Sequence, residues 1–114
     1  MAQIPVIVID QPQAITPVVA TQAGDSYQNT GSHLLFVYND SGADIIVTRL
    51  VQSQPRAPDD CHDKAQTCYA NELTILPALA ARRYNDKTGN VQVRYPDAQA
   101  ANLRVIVVYA PSVL

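Results

Sequence analysis

The chain of 114 residues predicts an all-β fold, read as two packed antiparallel sheets in a jelly-roll-like sandwich of about seven strands. Three observations lead there. Runs rich in β-branched and aromatic residues recur between clusters of Gly, Pro, Asn and Asp. Several of these runs alternate apolar and polar positions with a period of two. Only residues 77–83, where Pro77 is followed by alanines and a leucine, suit a helix, and then for a single turn. Alternating βαβ units are excluded for want of helices, and a small closed barrel is the second architecture.

The strongest signal is residues 33–51. Residues 33–38 and 45–51 are strand-favouring, and between them Asn39, Asp40, Ser41 and Gly42 tolerate positive φ or bond their own backbone, which reads as a β-hairpin. Both strands carry apolar side chains at both parities, so both faces of the ribbon need cover. Residues 4–9 and 14–20 read as two further short strands, with Pro5 and Pro17 placing them at sheet edges or in an arm that pairs only in an assembly. Residues 21–32 read as a loop. Residues 52–68, with Pro55, Pro58 and both cysteines, have no period and read as a long loop. A strand resumes before Pro77, and residues 84–89 form a turn. Val91, Val93 and Tyr95 then alternate with Asn90, Gln92 and Arg94, a half-wet strand. In the last strand Leu103, Val105, Val107 and Tyr109 share one face, while Ile106 and Val108 require cover on the other. The chain therefore reads as one domain over 1–114, with 1–20 as an edge-strand arm and 52–68 as the long loop.

Composition narrows the function. Hydrophobic residues make up 47 % and charged residues 16 %, against roughly 25 % charged in an ordinary soluble domain. Such a surface suggests partners. A net charge of −2 with scattered Lys and Arg argues against nucleic acid, whose binders display a clustered basic face. No run approaches the ~18 apolar residues of a membrane span. The first residues lack a basic n-region, so no signal peptide is read and synthesis in a cytoplasm is expected.

Chemistry-bearing constellations are weak. Cys61 and Cys68, with His62, Asp59, Asp60 and Asp63, lack the paired spacing of a four-ligand zinc site. They read either as a disulfide across a short loop or as two free thiols. The aspartates lack the spacing and glycine of a helix-loop-helix calcium loop. Neither a Gly-rich phosphate cradle nor a G-x-S-x-G elbow is present. Catalysis, metal and cofactor are accordingly not expected.

Asp25-x-Tyr27-x-Asn29-x-Gly31-x-x-Leu34-Leu35-x-Val37-x-Asn39, followed by a small-residue turn and Ile45-x-Val47-Thr48, resembles small head proteins of tailed bacteriophages. Tyr84-Asn85-Asp86-x-x-Gly89-x-Val91-x-Val93-x-Tyr95 and the closing strand are similar to the same group. The resemblance implies a capsid decoration or cement protein, a structural β-sandwich on the virion exterior that clamps major capsid protein subunits as a small homo-oligomer. Two features depart from the group: the longer, cysteine-bearing 55–68 loop, and Pro77-Ala78-Leu79 in place of a Gly/Pro/Phe-rich turn. The residues expected at the contacts are Ile4, Val6 and Val8 in the arm, with Tyr27, Tyr69 and Leu79. A glycan-binding module, with Tyr27, Tyr69, Asp25 and the 59–63 loop lining a shallow site, is the alternative. Another virion subunit, of a tail tube or of head completion, is the third reading.

Overall fold

The computed structural model describes residues 2–52 and 62–109. Among them ten strands, numbered in chain order, form two mixed sheets that share one core. The first sheet has the spatial order β1 (Ala2–Gln3), β4 (Asp25–Gln28), β9 (Asn90–Arg94), β6 (Ile45–Arg49), β7 (Lys64–Cys68). The second has the order β2 (Val6–Val8), β10 (Leu103–Tyr109), β5 (His33–Asn39), β8 (Leu73–Leu76), and β3 (Val18–Val19) pairs with β10 beside β2. The sheets are mixed because β1 lies parallel to β4, and β2 lies parallel to β10. All other pairs are antiparallel.

Alternation of side chains across each strand builds the core. Leu35, Val37, Leu103, Val105, Val107 and Leu76 point inward from the second sheet, and Tyr27, Ile45, Val47, Val91 and Val93 from the first, all of them buried. The clean alternation at 90–94 puts Val91 and Val93 in the core, with Asn90, Gln92 and Arg94 on the wetter side.

Several expectations are corrected. Residues 33–51 are not a hairpin: β5 belongs to the second sheet and β6 to the first, so the chain crosses between sheets there. The Asn39 side chain makes this corner, donating to the carbonyls of Ala43 and Cys68 at 2.8 Å each and accepting from the Ser41 hydroxyl at 2.7 Å. These bonds satisfy the turn without a ladder between β5 and β6. The 21–32 loop contains β4, whose interior residues are Asp25 and Tyr27 rather than an aliphatic pair. Within the 52–68 loop, Lys64–Cys68 is strand β7. Its apolar period is missing because an edge strand exposed on both faces is held by its backbone pairing to β6. Helix α1 spans Ala81–Tyr84, not the turn begun by Pro77. Residues 53–61 lie outside the described residues.

The amino-terminal stretch is two edge strands that change sheets. β1 pairs on the first sheet, β2 on the second, and Ile4 drops between them, only 2 % exposed. Pro5, which has no N–H, contributes only its carbonyl, which accepts the Val107 N–H at 3.1 Å. Residues 18–19 pair with the other half of the same β10 edge.

Ile4 offers a clean measurement. In the isolated chain Ile4→Ala is expected to lower unfolding stability by about 2–4 kcal/mol in urea denaturation. A loss under about 0.5 kcal/mol, typical of surface positions, would show that it is not a core residue.

Candidate interaction face

The two sheets present opposite kinds of surface. On the outer face of the first sheet the cross-strand neighbours are polar: Ser26 with Gln92, Gln28 with Asn90, Thr48 with Arg94. Among the described residues, Ile46 is the one large apolar residue exposed on that face of the sheet.

The outer face of the second sheet is apolar, and strand register arranges it in rows. Ile7, Val108 and Leu34 align in one row; Ile106, Phe36 and Ile75 in the next; Val19, Arg104, Tyr38 and Leu73 in the third. Successive rows lie two residues apart along the strands, roughly 7 Å. Arg104 is the only charged side chain in the rows. Its guanidinium donates to the Ala101 carbonyl at 3.0 Å and lies 4.0 Å from the Asp40 carboxylate. Such an exposed pair contributes little to stability.

Cover over this face is partial. Ile106 and Val108 are 3 % and 5 % exposed although they point away from the core. Ile15 and Pro17 reach over the sheet and form, with Phe36, Tyr38, Leu73 and Ile106, a cleft of about 210 Å³ with Arg104 also in its lining. On β8 the cover stops: Leu73 and Ile75 are 56 % and 53 % exposed. Leu73 and Ile75 thus extend an apolar surface that Ile15 and Pro17 cover only in part.

A larger cleft of about 430 Å³ lies on the first sheet, lined in part by Gln52, Asp63, Gln92 and Arg94. Its polar groups are partly engaged within the chain, since Asp63 accepts the Val51 N–H at 2.8 Å and Gln92 donates to Asp86. Among the described residues no three His, Cys, Asp or Glu side chains gather as a metal cluster.

The residues expected at contacts divide. Val8 and Tyr69 are exposed, and Val6 is half-buried against the core. Ile4, Tyr27 and Leu79 are buried, which corrects their assignment to an interface. Tyr27 fills the core and its hydroxyl accepts from Arg49 at 3.2 Å. Burial pushes its phenol up, against the opposing pull of the Arg49 charge. With Tyr27 and Asp25 both interior, the shallow glycan site drawn through them is not formed. Cys68 is buried, and burial raises its thiol pKa. The bridge to Cys61 falls outside the described residues. The signal of the face is parity and not residue type: Leu34, Phe36, Tyr38, Ile106 and Val108 all lie on the side of their strands opposite the core positions.

Apart from Leu34 and the closing strand, the motif residues that carry the resemblance build the frame rather than the face. The Asp25 carboxylate accepts the Tyr95 hydroxyl at 2.6 Å and the Thr21 N–H at 3.0 Å. Asn29 and Asn85 interlock: Asn29 donates to the Asn85 side-chain oxygen at 2.8 Å, and Asn85 donates back to the Asn29 carbonyl at 2.6 Å. Gly31 and Gly89 turn the chain beside them with φ of 100° and 85°. Asp86 closes the second turn, accepting the Thr88 hydroxyl at 2.6 Å, the Thr88 and Asn90 N–H groups, and the Gln92 side-chain amide. The Thr88 hydroxyl is the main cause holding its carboxyl down at about 2, with the backbone and Gln92 bonds adding and burial opposing.

The sign follows from that depression. The contribution of Asp86 is fully present above the ordinary value of 3.8 and is lost as pH falls toward about 2. Thermal melts of the wild type between pH 4 and pH 2 are expected to fall more steeply than those of Asp86→Asn. Parallel slopes would remove Asp86 from the account.

Compared with protein-family models, with curated proteins and with solved structures, the chain matches none.

Proposed function

We propose that this chain is a structural virion protein, a decoration or cement subunit that lays the apolar face of its second sheet on the outside of a phage capsid and bridges major capsid subunits. The observation that carries the reading is the contrast between the two sheets: one outer face is polar, and the other is uncharged except for Arg104. The molecule measures 40 × 37 × 22 Å. Broad faces of that size exceed the roughly 800 Å² that a standard interface takes from each partner.

The strand order supports a jelly roll, a frame that recurs in viral capsid and lectin domains. With β1 and β2 set aside, the other eight strands fall into two sheets of four, β4-β9-β6-β7 and β3-β10-β5-β8. Consecutive strands change sheets at every step but β6 to β7. Frame alone does not assign function. The motif resemblance to phage head proteins adds the particle, and the low charge adds the need for a partner. On a shell, each copy bound only to the assembled state would stabilise that state by mass action.

The test uses purified shells with and without the protein, heated or diluted into low salt. Decorated shells are expected to survive longer. Ile15→Asp and Val19→Asp, both at exposed positions over or on the apolar face, are expected to weaken shell binding at least about tenfold, the effect of some 1.4 kcal/mol. Ile46→Asp on the opposite sheet is expected to change nothing. Equal survival of bare and decorated shells, or equal binding by all three variants, would remove the reading.

A further inference from the structure

Each sheet has two edges, and three of the four are guarded. On the first sheet, β1 is two residues long and leads into Pro5, and β7 is polar, with Lys64 at its start. The Thr67 carbonyl of β7 is also occupied by the Gln66 side chain at 3.1 Å. On the second sheet, the β10 flank is covered by β2 and β3, short strands that follow Pro5 and Pro17. Short strands, prolines and lysines are usual means of blocking an edge.

β8, itself four residues long and followed by Pro77, carries less of this protection. It reads Leu73, Thr74, Ile75, Leu76, without charge or proline. Its free hydrogen-bonding groups can be assigned from register. The Asn39 N–H donates to the Glu72 carbonyl at 3.1 Å, so these two directly opposed positions form a bonded pair. Bonded pairs alternate in an antiparallel ladder. Thr74 and Leu76 therefore bond to β5, and the N–H and C=O of Leu73 and Ile75 point away from it. Among the described residues these outward groups meet no backbone partner.

We propose that β8 pairs antiparallel with β8 of a second copy of this chain about a two-fold axis at Thr74. Leu73 of one copy then lies opposite Ile75 of the other, and the same pair recurs across the axis. Four backbone hydrogen bonds form, using every outward N–H and C=O of Leu73 and Ile75. Inner and outer faces stay matched, since Leu73 and Ile75 share the outer parity and Thr74 the inner. The two apolar faces become one continuous surface looking the same way.

Charge permits the match. Among the described residues, the charged side chain adjacent to the strand in sequence is Glu72. In this register the two copies of Glu72 sit four residues apart along the paired strands, roughly 13 Å, beyond the Debye length of about 10 Å at 0.1 M salt. One open edge per copy also closes the assembly at two, where two open edges would propagate a fibre. A four-residue edge buries less than the roughly 800 Å² per partner of a standard interface, so the dimer is a weak one that appears as concentration rises. It forms whether or not the apolar face meets a shell.

Sedimentation equilibrium of the purified chain up to roughly 1 mM is expected to show a monomer–dimer equilibrium, since weak pairs populate in that range. Ile75→Pro removes an outward N–H and spares the bonds to β5. It is expected to weaken dimerisation at least about tenfold, while Val8→Lys at the opposite edge and Ile15→Asp on the face leave it unchanged. An unaltered circular dichroism spectrum checks that the Ile75→Pro chain still folds. Amide exchange in the wild type gives a second readout. Exchange at Leu73 and Ile75 is expected to slow with concentration, with Thr74 unchanged. A monomer at 1 mM, a dimer indifferent to Ile75→Pro, or a dimer without slowed exchange at Leu73 and Ile75 would overturn the proposal.

Discussion

The fold depends on satisfying both edges of β10. That strand is apolar on both faces, with Leu103, Val105 and Val107 toward the core and Ile106 and Val108 away from it, so its backbone is far from water. Buried N–H and C=O groups left without partners are costly. β5 takes one edge along the full length of the strand. The other is taken by the first twenty residues: the Pro5 carbonyl accepts from Val107, Ile9 donates to Tyr109, and Ala20 donates to Leu103. Two short strands of opposite direction thus share one edge, and the linker between them carries Ile15 and Pro17 over the outer face. An arm that looks dispensable in sequence makes the closing strand central.

A second constraint sits at the inner end of β6. Arg49 points into the interior and is 3 % exposed. Its guanidinium donates to the Pro77 carbonyl at 2.7 Å and to the Tyr27 hydroxyl at 3.2 Å, and Nε has no partner among the described residues. Buried donors need acceptors, so these bonds matter to the segment they reach. They tie β4 and β6 of the first sheet to the stretch that follows β8 of the second.

Elements were legible where side-chain period and burial agreed. Val91, Val93 and the inward residues of β10 could be placed from alternation alone, because each strand sits between neighbours that cover the expected face. Legibility failed where backbone or polar atoms took over. β4 hides its burial behind Asp25, whose carboxylate is bonded to Tyr95, and β7 has almost no buried side chain to betray it. The crossing at residues 39–44 uses the same Asn, Asp, Ser and Gly as a hairpin turn. Only the distant acceptor at Cys68 distinguishes the two, and local composition does not contain it. The apolar outer face was legible in principle, as apolar residues at both parities of residues 33–38 and 103–109. Its exposed border at Leu73 and Ile75 was not, since exposure depends on where the covering segment ends.

That border is where cover and edge coincide. The segment carrying Ile15 and Pro17 reaches Leu73 only at the wall of the cleft, and beyond it Ile75 remains open to solvent. A sheet that needed only to fold would gain from a charged residue at either position, because an exposed uncharged edge favours association with other chains. The other three edges are guarded by short strands, by prolines or by a lysine, so the chain is not generally careless of its edges. The strand with less of this protection is also the one joined to the apolar face. Backbone groups at the rim and apolar rows behind them therefore make one surface, directional along β8 and non-directional across the sheet. Directional bonds set register and orientation, whereas apolar area supplies most of the free energy of association.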